Sequence, residues 1–354
     1  MKMKRLFLAA LTVLLAVSVY AQPAGYYNST EGLTGDQLKM ALHNIVKGHT
    51  SITYAQLWNA FWSTDNKGDG IVWDMYSDKP DGIPPYTYQL GMDQCGNYSG
   101  EGDCYNREHS WPQSWFNNDG TARTDLHHIF TSDGFVNSKR GNYAFGEVGS
   151  VSWTSKNGSK LGSSKTPGFN GTVFEPIDEY KGDFARAIMY MSVRYYQEDG
   201  SWSNSDMTTK SVIKPWAIDL LLRWNKFDPV SQKEIDRNNA IYEDYQHNRN
   251  PFVDDPEFAD RIWDPNWLIT EENTIRHCLF PNPVDRGGLL SIQQIPEYVN
   301  RIEIRDMLGR LVCQQYVNQQ VKSISLPADI KPGCYLFQLA DDQQVREQMR
   351  LLIK

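Results

Sequence analysis

Beyond residue 287 the spacing of apolar residues changes period, and that change divides the chain. The run CLFPNPVDRG at 278–287 is proline-rich and turn-like. After it come YVNRIEIRDMLGRLVCQQYV, SISLPADI, GCYLFQLA and EQMRLLIK, short stretches in which apolar residues recur about every second position. Alternation at period two, broken by regular turns, suits strands with one buried face and predicts a small β-sandwich. Upstream the period is helical. LTGDQLKMALHNIVKGH offers Thr34 as a cap and Leu38, Leu42, Ile45 and Val46 on one face, and YAQLWNAFW reads as a second helix. Residues 71–175 are rich in Gly and Asn, with short strands and loops. Helix returns over 178–247: DFARAIMYMSVRYYQ puts Ala185, Ile188, Met189 and Val193 at helical spacing, PWAIDLLLRWNKF follows, and DPVSQKEIDRNNAIYEDYQ offers Asp228 as a cap with Pro229 in the first turn. The expected fold class is α+β: a mainly helical domain over 22–277, then an all-β sandwich over 278–354.

A chain of 354 residues accommodates two such domains. Aromatic residues make up 12%, including 11 Trp, which excludes a disordered chain. The net charge of −8 weighs against nucleic-acid binding through a globally basic surface. It leaves room for a local cationic groove assisted by a metal ion. The first 21 residues combine a basic start (Lys2, Lys4, Arg5), an apolar run from Leu6 to Val19, and a small-x-small site ending at Ala21. They read as a secretory signal peptide, too short in its apolar part to span a membrane. No later segment is apolar enough to cross, so no transmembrane segment is expected in the mature chain. Of the five cysteines, Cys95 and Cys104 bracket GNYSGEGD, and in an exported chain a disulfide there is expected. It would brace a strand starting at Tyr105. Among Cys278, Cys313 and Cys334 one is left over if two pair.

DNKGDGIVWDMY at 65–76 imitates a calcium-binding loop, with Asp65, Asp69 and Gly70 in place. Lys67 nevertheless occupies a ligand position, and Tyr76 stands where a bidentate Glu is required. The segment reads as a loop leading into a turn.

The strongest chemical signal is a cluster. Three of the seven histidines, His109, His127 and His128, fall close together, with Glu108, Asp125, Asn137, Lys139, Arg140 and Asn142 beside them. NREHSW reads as a strand, on which Glu108 and His109 point to opposite faces unless a bend at Pro112 brings both to one site. LHHIFTS reads as a second strand, whose paired histidines also face apart. SDGFVNSKRGN then opens as a helix capped at Ser132-Asp133. Phosphodiester hydrolysis suits this set. A neutral imidazole takes the proton of an attacking water, a carboxylate and an amide hold a hard cation, and an arginine forks onto phosphate. Each residue also has a structural reading. His109 suits a satisfied core position, Glu108 an ion pair with Arg107 or Arg140, and Asn142 a helix C-cap beside Gly141. Asp125 with His127 or His128 suits a buried staple, Lys139 and Arg140 a solvated helix face, and Trp111 and Trp115 the core more than base stacking.

NREHSWPQSWF, DLHHIFTSDGFVNSKRGNYAFGEV, IDEYKGDFARA and DPVSQKEIDRNNAIYEDYQHNRNPFVDDPEFADRIW resemble the bacterial secreted endonuclease I family, over roughly 36–265. The resemblance implies an embedded ββα-metal (His-Me finger) motif, with His109 as general base and Glu108 and Asn142 as metal ligands. It further implies little sequence preference on DNA and often RNA, and 5′-phosphate products. Magnesium, which keeps several waters and needs few protein ligands, is the expected cofactor, with manganese or calcium as substitutes. A phosphate-stabilising arginine is expected, and Arg123, Arg140 and Arg107 are candidates. Asp255 stands where the family pattern has histidine, which is read as a structural position. FPNPV, IEIRDMLGRLV, LPADIKPGCYLFQL and LLIK resemble the sorting domains of the type IX secretion pathway, implying secretion machinery as a partner and release or surface attachment after export; a monomer is expected. Two rivals remain at this point: a zinc hydrolase using the histidines, and a non-enzymatic surface adhesin working through the sandwich.

Overall fold

The computed structural model describes residues 22–264 apart from Asp81 and Asn118, and residues 279–354 apart from 281–282, 293–298, 307–308, 319–320, 322 and 342–344. The signal peptide expected over 1–21, the domain boundary expected at 277, and Cys278 lie outside the described residues. Two compact units divide between Trp263 and Asp264.

The first unit, expected to be mainly helical, is mixed, with eight helices and three small sheets among its described residues. Helix α1 (Gly35–Val46) starts after Thr34 and buries Leu38, Leu42 and Val46, spaced one turn apart. Helix α2 (Leu57–Thr64) buries Leu57, Ala60 and Phe61. Strand β1 (Tyr105–His109) pairs antiparallel with β2 (Ile129–Asp133), in a register that sets Glu108 opposite Phe130 and His109 opposite Ile129. Helix α3 (Gly134–Arg140) follows β2 without a spacer, capped by Asp133. A four-stranded sheet comes next, in the order β3 (Ala144–Phe145), β6 (Thr172–Glu175), β5 (Lys160–Ser164), β4 (Val148–Thr154). Only its β3–β6 pair is parallel.

Helix α4 (Lys181–Arg194) is the centre of the unit: every one of its residues is buried. A helix so enclosed needs close approach somewhere, and Gly182 provides it. A Cβ there would collide with the Asp228 carbonyl and the Arg186 guanidinium. A short hairpin of β7 (Thr208–Thr209) and β8 (Val212–Ile213) leads to α5 (Pro215–Phe227), which packs on α4. Helix α6 (Gln232–Ala240) begins not at Asp228 but at Ser231. Its hydroxyl and the Glu234 carboxylate cap each other's backbone in a capping box. A π-helical turn (Ile241–Gln246) and helices α7 (Pro251–Asp254) and α8 (Glu257–Trp263) complete the unit.

The loop that imitates a calcium site is tied down by protein contacts: Lys67 pairs with Asp78 at 2.6 Å, and Asn66 accepts from the Gly68 amide at 3.0 Å. The expected disulfide is present between Cys95 and Cys104. It holds the loop before β1, where Cys95 and Tyr105 also share a backbone hydrogen bond.

The second unit is β-rich, with β9 (Leu279–Phe280), β10 (Leu289–Ile292) and β13 (Ser323–Ser325) in one sheet. The other sheet holds β11 (Arg301–Asp306), β12 (Leu311–Tyr316), β14 (Gly333–Ala340) and β15 (Val345–Ile353). Leu290, Ile292 and Ile324 from one sheet and Ile302, Ile304, Phe337 and Leu339 from the other belong to one apolar core. Cys313 and Cys334 are free thiols.

Candidate active site

The site is built where β1 ends. Glu108 and His109 are neighbours on the strand and find entirely different partners, as pleating requires. Glu108 is buried, and its Oε1 accepts from the Tyr76 hydroxyl at 2.9 Å and lies 3.3 Å from Arg140 Nη1. Oε2 has no hydrogen-bond partner among the described residues. Burial pushes the carboxyl up to about 6, against the opposing pull of Arg140 and Tyr76. A sealed carboxylate with one oxygen anchored and the other open fits a hard cation.

His109 is also buried. Its Nε2 lies 3.0 Å from the carbonyl oxygen of Arg123. A carbonyl only accepts, so Nε2 carries the proton and Nδ1 keeps its lone pair. Burial, reinforced by the charges of His128, Arg107 and Arg123, pushes the imidazole down to about 3, so it is neutral at pH 7. The Gln113 amide approaches Nδ1 at 3.4 Å, while its Oε1 accepts from Arg123 Nε at 3.2 Å. Gln113 thus bridges the imidazole and the guanidinium. The Tyr54 ring stacks on His109 at 6.1 Å.

Two of the three candidate arginines occupy different places. Arg123 lies in a 3₁₀ turn (Ala122–Thr124) between the strands, half-buried, with its terminal nitrogens free of hydrogen bonds. Arg140 is buried beneath β1 and donates to the carbonyls of His109 (3.0 Å) and Ser110 (2.5 Å) as well as facing Glu108. That geometry fastens the strand end; of the readings given to Arg140 it matches the ion pair with Glu108 and not the solvated helix face. Asn142 is exposed, one residue beyond Gly141, whose φ of 53° ends α3. Asn137, half-buried on α3, donates to Arg107 O at 3.3 Å and to Ser132 Oγ at 3.4 Å, leaving its Oδ1 without a partner.

The paired histidines do not lie on a strand. Asp125 accepts from the His127 backbone amide at 3.1 Å and caps a 3₁₀ turn (Leu126–His128) before β2 begins. Both side chains are therefore buried: His127 Nε2 meets Asn248 O at 3.1 Å and His128 Nε2 meets Ala122 O at 2.7 Å. Asp125 also accepts from the hydroxyls of Tyr190 (2.9 Å) and Tyr195 (3.1 Å). Trp111 and Trp115 are core residues. Among the described residues, no three or more His, Cys, Asp and Glu side chains are arranged to hold a metal, the set a zinc hydrolase would need. Sequence reasoning passed over Tyr54, Tyr76 and Gln113. Gln113 lay inside the quoted motif. Tyr54 and Tyr76 reach the site only through folding.

Comparison with known proteins places the chain in a family. A profile of the Endonuclease I family matches residues 34–257, and one of the secretion system C-terminal sorting domain matches 278–354. An extracellular ribonuclease of Bacillus amyloliquefaciens is 41% identical over 247 residues, 67% of this chain and 78% of that protein. One from Bacillus subtilis (strain 168) is 39% identical over 253 residues, 69% of this chain and 80% of that protein.

Proposed function

The chain belongs to the endonuclease I family and carries a secretion sorting domain, and from that premise we propose that it is an extracellular, metal-dependent endonuclease cutting DNA and RNA with little sequence preference, leaving 5′-phosphates. The observation that carries the mechanism is the bond from His109 Nε2 to Arg123 O, which leaves Nδ1 as the base. In this reading Nδ1 takes a proton from the attacking water. Arg123 lays its free terminal nitrogens against the phosphoryl oxygens as negative charge builds there. Glu108 Oε2 and an amide oxygen hold the cation, and Arg140 fixes the strand end that carries both Glu108 and His109. A bound magnesium, manganese or calcium ion supplies positive charge beside the phosphoryl and leaving oxygens.

The amide ligand has two readings. The family resemblance assigns it to Asn142. The placement of Asn137, whose carboxamide lies against the residue preceding Glu108 with Oδ1 open, favours Asn137. Cleavage of plasmid and RNA by the mature chain with magnesium, with EDTA, and after His109→Ala tests the mechanism. Activity is expected to require the metal and to fall at least ~100-fold in His109→Ala. No cleavage by the wild-type protein in any of the three cations sinks the reading. In the same assay, alanine at the ligating asparagine raises the metal needed for half-maximal activity, and alanine at the other leaves it in place.

A further inference from the structure

The geometry points to a second anion site, formed by Arg107 where it stacks beside Arg123 on the Tyr54 ring, that grips a phosphate next to the one being cleaved and makes a polynucleotide strand, rather than a single phosphodiester, the preferred substrate. The inference rests on the nuclease reading above. The Arg107 guanidinium lies 3.7 Å from the Tyr54 ring centroid and 4.3 Å from that of Trp58, and the Arg123 guanidinium lies 4.1 Å from Tyr54. The same tyrosine stacks on His109. Two cations and the reactive imidazole thus converge on one aromatic side chain.

What sets the pair apart is that no carboxylate neutralises it among the described residues. Buried arginines elsewhere in the unit each meet a carboxylate: Arg140 meets Glu108, Arg186 meets Glu234, Arg237 meets Asp65 and Arg249 meets Asp254. Arg107 donates only to the Tyr54 carbonyl, at 3.0 Å, and its Nε is buried without a partner. Arg123 donates only to Gln113. Half-burying two like charges side by side is unfavourable. The stacking on Tyr54 and Trp58 holds the guanidiniums in place and leaves their donors for an anion.

The placement along β1 separates two roles. Arg107 and His109 are two residues apart on a strand, so they share a face, and Arg107 is displaced from the base by ~6–7 Å along it. That is the scale of one nucleotide step in an extended strand. Arg123, whose carbonyl holds His109, stays with the scissile phosphate. Arg107 falls to its neighbour.

The test uses the full mature chain and an end-labelled oligonucleotide in which one linkage is an uncharged methylphosphonate, with cleavage mapped linkage by linkage. In the wild-type protein, cutting beside the neutral linkage is expected to fall ~10-fold, the size of one lost charge-assisted contact. Arg107→Met is expected to show that loss already on the unmodified strand, to lose nothing further beside the neutral linkage, and to lower the slope of log KM against log salt by about one. Arg107→Lys serves if the methionine variant fails to fold by circular dichroism: its neutral-linkage effect is expected to shrink to ~3-fold, and an effect still at tenfold overturns the proposal. It is equally overturned if the wild-type protein ignores the neutral linkage, or if the Arg107→Met and neutral-linkage losses multiply. A wild-type protein that cuts neither strand indicts the nuclease reading instead.

Discussion

Glu108 is held from one side only. Tyr76 and Arg140 both address Oε1, and this orients the carboxylate so that Oε2 projects free. Groups that orient a metal ligand matter nearly as much as the ligand, typically 10–100-fold in metal affinity or activity. Tyr76→Phe removes one anchor while keeping the ring against Phe174 and Phe184. The expected outcome is a ~10-fold rise in the magnesium concentration for half-maximal cleavage, with most of the rate regained at saturating metal. An unchanged metal requirement would mean that Glu108 is not a ligand. At this scale the sequence shows the candidate groups and hides their holders. Glu108 and His109 stand together in a rigid run, so they were legible as candidates. Tyr76 is 32 residues away from Glu108, inside a loop that mimics a different motif. Arg140 was legible as an ion-pair partner of Glu108, but its bonds to the β1 end were not, because charge and helical position say nothing of the strand lying over it.

Among the elements, the turn from β2 into α3 does most to shape the site. Asp133 Oδ1 caps the helix at Val136 N (2.8 Å), and Oδ2 accepts from the Tyr88 hydroxyl (2.6 Å) and Gly102 N (2.8 Å). Gly134 N in turn bonds Cys104 O, so the disulfide loop, the strand pair and the helix share one junction. Asp133→Ala removes the cap and orphans two donors. We expect a loss of about 2–4 kcal/mol, or roughly 5–15 °C in Tm. Asp133→Asn, which keeps an acceptor, should lose less. A calorimetric Tm within 2 °C of wild type for the alanine variant would refute this account of the junction. The strand, loop, strand, helix order was readable from NREHSW through SDGFVNSKRGN. Two element starts were not. LHH matched strand composition, but the Asp125 side chain draws the chain into a 3₁₀ turn first. At the start of α6, Asp228 and Pro229 matched a cap pattern. The S-x-x-E of Ser231 and Glu234 prevailed because two reciprocal bonds outweigh one.

Across the whole nuclease unit, one buried polar hub joins segments distant in sequence. Asp125 gathers His127, Tyr190, Tyr195 and Gln246, with His49 Nδ1 at 3.8 Å, and Asn248 links Tyr190 to the Val46 carbonyl. Burial pushes His127 down to about 4, against the opposing pull of Asp125. The unfolded chain therefore takes up this proton first, near pH 6.5, while the native imidazole stays neutral to about 4. The stability His127 contributes is complete above pH 6.5 and drains away by about pH 4, a change of about 3 kcal/mol. Other groups act oppositely. Asp74 and Glu234 are raised to about 7 by burial, so protonation favours their native state as pH falls. The total pH dependence of Tm mixes both signs, and the informative quantity is a difference between variants. His127→Gln cannot titrate, so its destabilisation relative to wild type is expected to be greatest at pH 7 and to shrink by roughly 5–10 °C in Tm by pH 4.5. Paired calorimetric scans at the two pH values read this directly. Equal offsets at both would mean that His127 is not a neutral, proton-excluding member of the hub.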